Sequence, residues 1–199
     1  MEKLWKSCGK AVEMLWKSCG KAVDNLVLYP DKMKKTLAIN MSKCKIQKND
    51  IFYTPSEVVD DCMKLISIKE SDILLDPFYG DGAFYSKFPD INTKLWCEIE
   101  KGVDFFDYHQ KVDWIISNPP FSKLSKVLNH CADICNKGFG LIMLSMHLNP
   151  KRITDLSNRG FCLTKMHLFK VKEWFGFTCC FLVFSKIGNS LLGIEPKQY

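Results

Sequence analysis

The sequence predicts an α/β fold: a doubly wound sheet of seven strands, mostly parallel, with one strand antiparallel to the rest. Three observations predict it. From residue 51 onward, short apolar runs of strand length alternate with segments of helical period. Polar or glycine-rich residues follow the early strand-like runs, at the sheet edge where open α/β proteins bind their ligands. Two long strand-like runs close the chain, joined by a connection short enough for an antiparallel hairpin.

The elements follow in order. E-K-L-W-K-S-C-G-K-A-V at 2–12 returns as E-M-L-W-K-S-C-G-K-A-V at 13–23. Eleven residues make about three helical turns, so the repeat keeps one face in place. Leu4, Cys8, Val12, Leu15, Cys19 and Val23 form an apolar stripe beside Trp5 and Trp16, with Lys6, Lys10, Lys17 and Lys21 largely outside it. This reads as a basic amphipathic helix, weakened at Gly9 and Gly20 by about 1 kcal/mol each. A duplication that merely caps the domain explains the repeat equally well. Residues 24–50 are polar and irregular, so 1–50 is read as an extension with a linker and 51–199 as the catalytic domain. In that domain Ser56 is placed to cap a helix burying Val58, Val59, Cys62, Met63, Leu65 and Ile66. Strands are predicted at 72–76, 94–99, 103–106, 112–117, 139–145, 161–170 and 177–185. Helices are predicted at 82–88, at 122–135, and from Pro150 to near Gly160.

Charge and cysteine usage narrow the class. The net charge is +6, and all of it lies in residues 1–50, which hold 11 Lys against five acids. Residues 51–199 balance 17 basic groups with 17 acidic ones. A basic arm suits nucleic acid, and an acidic membrane surface almost as well. No apolar run is long enough to span a bilayer and the Lys-rich start does not resemble a secretory signal, so a soluble protein of cytoplasm or nucleus is expected. The 10 cysteines contain no C-x-x-C pair, and Cys131 and Cys135 lack a matching second pair. Reduced thiols acting as small hydrophobes are expected, without a metal.

The strand ends carry the chemistry. D-P-F-Y-G-D-G (76–82) follows the first strand, and Gly80 and Gly82 allow a tight turn close to a ligand. W-C-E-I-E (96–100) ends the second, offering an acid for ribose hydroxyls. D-F-F-D (104–107) sets a carboxylate beside an aromatic ring, which suits an adenine amine and its face. The fourth strand runs into N-P-P-F (118–121), whose prolines end the ladder. Asn118 supplies an amide oxygen and Pro119 a carbonyl, two acceptors for the hydrogens of one –NH₂ group. Phe121 supplies a ring face for a planar base or amide.

At these residues the chain resembles the class I S-adenosylmethionine-dependent methyltransferases, whose fold is Rossmann-like, and particularly the adenine-N6 type marked by N-P-P-[FYW]. The likeness covers roughly 51–185. It implies S-adenosyl-L-methionine as cofactor, held by F-Y-T-P (52–55, with Tyr53, Thr54 and Pro55), by Asp76, Phe78, Gly80 and Gly82, by Glu98 (or Glu100), and by Asp104 and Phe105. It implies a catalytic loop of Asn118, Pro119, Pro120 and Phe121. The motif order is similar to the γ arrangement. The implied reaction is methyl transfer to adenine N6 of DNA or RNA, with DNA slightly favoured. A duplex target must flip its base out, and Trp174 and Phe175 are candidates to cover the base opposite Phe121. DNA enzymes of this type usually add a target-recognition domain, whereas residues 186–199 are a short polar tail. A single-stranded or structured substrate, or a partner subunit supplying recognition, is therefore expected. Lys123, Lys126, Lys151 and Arg152 are candidates for phosphate contacts. The alternatives are protein-glutamine N-methyl transfer, since N-P-P-[FY] serves that planar –NH₂ too, and a non-catalytic methyltransferase-like subunit.

Overall fold

The structure, a computed structural model, describes residues 52–172, 174 and 178–192. The repeat at 2–23, the linker, the boundary at 50/51 and Phe175 lie outside the described residues. Helix α1 (Ser56–Met63) comes first, then strands β1 (Ile73–Asp76), β2 (Thr93–Trp96) and β3 (Val112–Ser117). Helix α2 (Leu124–Ile134) leads directly into β4 (Cys135–Leu144), and α3 (Pro150–Ser157) precedes the hairpin β5 (Cys162–Phe169) and β6 (Cys179–Ser185). The sheet order is β2-β1-β3-β4-β6-β5. β2, β1, β3 and β4 pair in parallel, while β6 runs antiparallel to both β4 and β5. One strand is thus reversed, as the sequence predicts.

The sheet has six strands rather than the seven expected. Residues 103–106 form no strand, for a local reason. The Glu98 carboxylate accepts a hydrogen bond from the Glu100 N–H, and that of Asp104 accepts one from the Phe106 N–H. Each bond caps a short 3₁₀ turn, Ile99–Lys101 and Phe105–Asp107. Such side-chain caps compete with a sheet ladder for the same backbone donors. Only an isolated antiparallel bridge joins Glu98 to Val103. Two smaller differences stand beside this one. The expected helix at 82–88 is a single 3₁₀ turn, Tyr85–Lys87, and Ser56 opens α1 behind Pro55 without a capping bond.

Period-2 alternation puts a core on each face of the sheet. Leu75, Ile115, Phe139, Leu141, Met143, Cys180, Leu182 and Phe184 face α2 and α3, together with Val127, Leu128 and Leu156. Leu74, Trp114, Ile116, Ile142, Phe181 and Val183 face the other way, onto Val59 and Cys62 of α1 and onto Phe84 and Phe88. Helices on both faces make the sheet doubly wound. The described cysteines are free thiols, most of them buried in these cores, and burial pushes Cys97 up to about 11 and Cys180 to about 12. No group of metal-binding side chains occurs among the described residues, and none of their helices is long and apolar enough to cross a membrane.

The amino ends of the central strands are locked by polar groups. Asp72 is fully buried and accepts from Trp114 Nε1 (3.0 Å), from the Lys69 N–H (3.0 Å) and from Lys137 Nζ. Burial alone pushes its carboxyl up, but these donors together hold it below the usual carboxylate range.

Candidate functional site

The carboxyl ends of β1, β2 and β3 lie side by side, because Asp76 pairs with Trp96 and Leu75 with Ile115 in parallel register. This brings 76–82, 97–98 and 117–121 to one edge. Asp76 is 1% exposed. Its Oδ1 accepts from the Ser117 hydroxyl at 2.6 Å and from the Phe78 N–H at 3.4 Å. Burial pushes the Asp76 carboxyl up to about 7, against the pull of Ser117 and Phe78, with the Glu98 charge adding to the rise. Asp76 therefore ties the glycine loop to the residue immediately before Asn118. It faces its own loops rather than open space.

The glycine loop divides its labour. Gly80 has φ of +53°, and the side where a Cβ would stand is open, with only the Phe78 carbonyl as near as 3.9 Å. Its N–H donates to Glu98 Oε2 at 2.8 Å. Gly82, at φ +85°, is needed for another reason: a Cβ there would lie 2.8 Å from the Tyr79 ring. Tyr79 in turn packs on Tyr85 and Trp96 at 5.5 and 5.3 Å, beneath the Lys101 ammonium. Asp104 commits one carboxylate oxygen to its turn, and the other has no hydrogen-bond partner among the described residues. Phe105 is 2% exposed and sits edge-on to Phe78 (5.3 Å) and His130 (4.6 Å). Its ring is buried support beneath this edge, and Phe78 is the more open of the pair.

Asn118 is the most constrained polar residue of the edge. Its Nδ2 donates to the Phe52 carbonyl at 3.0 Å and to Thr54 Oγ1 at 3.2 Å. Because a carbonyl only accepts, the amide orientation is fixed, and both N–H groups are used. Oδ1 is buried and has no hydrogen-bond partner among the described residues. Aromatic rings pack together on the segments that hold the amide. Phe121 stacks on Phe52 (6.4 Å, 18°) and meets His147 edge-on at 5.6 Å, and Phe52 tilts against Trp174 at 6.0 Å. Trp174 is 6% exposed, and its Nε1 donates to the Tyr53 carbonyl at 3.2 Å. It supports segment 52–54 from below. Tyr53 itself is 62% exposed, Pro55 is exposed and Thr54 is buried. Pro119 is buried and Pro120 half-buried, as befits a rigid turn packed on the sheet end.

Three parts of this site were not legible as functional residues. Ser117 reads as the last letter of a buried strand. The Phe52 carbonyl is a backbone group, which no residue type announces. His147 lies after β4, and only its ring, packed on Phe121, marks its place.

Comparisons extend the fold. No family model matches the chain, and no curated protein matches it. Among solved structures it is similar to a modification subunit of a putative type I restriction enzyme from Vibrio vulnificus, with TM-score 0.54 and 13% identity over 80% of this chain and 49% of that one. The chain thus spans about half of that subunit's length. It is also similar to a dimethyladenosine transferase from Plasmodium falciparum, with TM-score 0.51 and 14% identity over 68% and 62% of the two chains. A third is magnesium protoporphyrin IX methyltransferase from Synechocystis with bound S-adenosylmethionine, with TM-score 0.50 and 12% identity over 84% and 88%. At such identities the shared property is the fold. The chain has the class I methyltransferase fold, the fold of these S-adenosylmethionine-dependent methyltransferases.

Proposed function

We propose that the chain is an S-adenosylmethionine-dependent methyltransferase acting on the N6 amine of adenine in a nucleic acid. The observation that carries this is the Asn118 amide, whose donors are spent within the protein while its buried oxygen is left without a partner. An acceptor buried that way costs about 1–3 kcal/mol, and a planar –NH₂ satisfies it. The residues around it fit the cofactor as well: open space at Gly80, the Glu98 carboxylate beside it, and an unpaired oxygen on Asp104. When bound, S-adenosylmethionine supplies a methyl group on a positively charged sulfur.

The chain's own residues do the rest. Glu98 is placed for ribose hydroxyls, Asp104 for the adenine amine of the cofactor, and segment Tyr53–Pro55 for its methionine portion. Asp76 positions the two loops. Asn118 Oδ1 and the Pro119 carbonyl take the two hydrogens of the target amine, drawing N6 towards tetrahedral geometry and freeing its lone pair. S-adenosylmethionine would supply the methyl group to that lone pair, its C–S electrons staying with sulfur, and the surplus amine proton would leave to water. Phe121 holds the plane of the base. Rate comes from positioning and preorganised acceptors. Residues 1–50, with their +6 charge, attract the polyanion, and 51–199 carry the chemistry.

The neutral balance of residues 51–199 favours one second reading, a glutamine side chain as the acceptor. Transfer of a labelled methyl group to unmethylated DNA, RNA and a cell protein extract, each beside Asn118→Ala, separates them. Label in nucleic acid that is lost in the variant is expected. Label confined to protein moves the assignment to glutamine, and no cofactor binding at all removes the methyltransferase reading.

A further inference from the structure

Immediately past the N-P-P-F loop, two surface cavities share Ser125 in their linings. One, of about 220 Å³, is lined by Phe106, Ser122, Lys123, Ser125 and Lys126. The next, of about 360 Å³, includes Asn149, Lys151, Arg152 and Asp155 in its lining. Together they hold four cationic side chains against one carboxylate, and that carboxylate is taken by Lys151 at 2.9 Å. Among the described residues Lys123 and Lys126 form no ion pair, and neither does Arg152.

Arg152 is half-buried and aimed between the cavities. Its guanidinium donates to the His147 carbonyl at 2.7 Å and to Ser125 Oγ at 3.4 Å, which leaves further N–H groups of the fork unspent. Burial without a counter-charge lowers its pKa. The same His147 presents its ring to Phe121. The groove is therefore joined to the catalytic loop by one residue that holds both. At the other end Lys123 Nζ lies 5.9 Å from the centre of the Phe106 ring, a cation beside an aromatic surface.

We infer that this pair of cavities is a track for the phosphodiester backbone of a single strand flanking the target adenine, with Lys123, Lys126 and Arg152 on successive phosphates and Phe106 beside a neighbouring base. The inference rests on the function proposed above and names its substrate as single-stranded. Unpaired cations next to an aromatic ring are what single-strand grooves combine. The anionic backbone is common to DNA and RNA, so strand type is an arm of the test.

The test is the salt dependence of binding of short adenine-containing single strands, DNA and RNA, to the full chain and to Lys123→Gln/Lys126→Gln. Each phosphate contact contributes about 0.7 to the slope of log K against log salt for single strands, so the double variant should lose about 1.4. Arg152→Lys, which keeps the charge but loses the fork, should weaken binding several-fold with nearly the same slope. Cofactor affinity, measured alongside, should stay unchanged. An unaltered slope in the double variant overturns the track and leaves the methyltransferase reading standing. Equal or tighter binding of the matching duplex overturns the single-strand assignment. A chain that binds no nucleic acid, or an acidic peptide whose binding the same variants abolish, overturns both the track and the nucleic-acid reading.

Discussion

At Asn118 the amide nitrogen serves the fold, and the amide oxygen is the acceptor we propose for the substrate. Asn118→Ala removes both roles. Transfer should fall by about 100-fold or more, the scale of losing one preorganised charge-stabilising hydrogen bond, while cofactor affinity is retained. Thr54→Val is the finer probe. It deletes one of the two bonds that orient the amide (3.2 Å) and keeps the side-chain shape. Up to about tenfold of transfer should be lost, with little change in unfolding temperature. Asp76 gives a pH signature. Its carboxyl is raised from its ordinary value of 3.8 to about 7, chiefly by burial. The folded chain thus holds that proton more tightly than the unfolded chain. The stabilisation is complete below about 4 and is lost as pH rises towards about 7. The unfolding temperature of the protein minus that of Asp76→Asn should therefore fall between pH 5 and 7 and be flat above. A difference that rises over this window would contradict the buried, protonated acid.

At the scale of elements, the two ends of the central strands do opposite work. Their carboxyl ends carry the site, and their amino ends are held by Asp72, Trp114 and Lys137. Lys137→Met leaves the Asp72 carboxylate buried without its cation. The cost should be about 2 kcal/mol, below that of a fully buried pair because Lys137 is partly open to water. Chemical denaturation measures it, and cofactor affinity should be untouched at the far end of the sheet. The elements also show which letters were legible. N-P-P-F announced a turn after a buried strand because two prolines leave few alternatives, and the nearly continuous apolar run of 177–185 announced β6. V-D-F-F (103–106) read as strand because three of its four residues are apolar. The two capping carboxylates, Glu98 and Asp104, decided otherwise, through bonds that a propensity count does not weigh. Trp174 was legible as an aromatic near the site. Its bond to the Tyr53 carbonyl was not, since 121 residues separate the partners.

For the whole molecule, the six-stranded sheet with a core on each face is a frame that leaves one edge free for chemistry. The parallel register of β1, β2 and β3 gathers an acid, a glycine turn and the Asn118 amide from segments distant in the chain. The fold is shared with a magnesium protoporphyrin IX methyltransferase and a dimethyladenosine transferase, so the fold alone does not set the acceptor, and we propose that the Asn118 amide and the charged surface beside it do. The most direct measurement is to identify the methylated atom. An adenine-containing single strand is incubated with the chain and S-adenosylmethionine, digested to nucleosides and analysed by mass spectrometry. N6-methyladenine that vanishes in Asn118→Ala is the predicted product. Methyl groups found on a ring nitrogen, on cytosine or only on glutamine would contradict it.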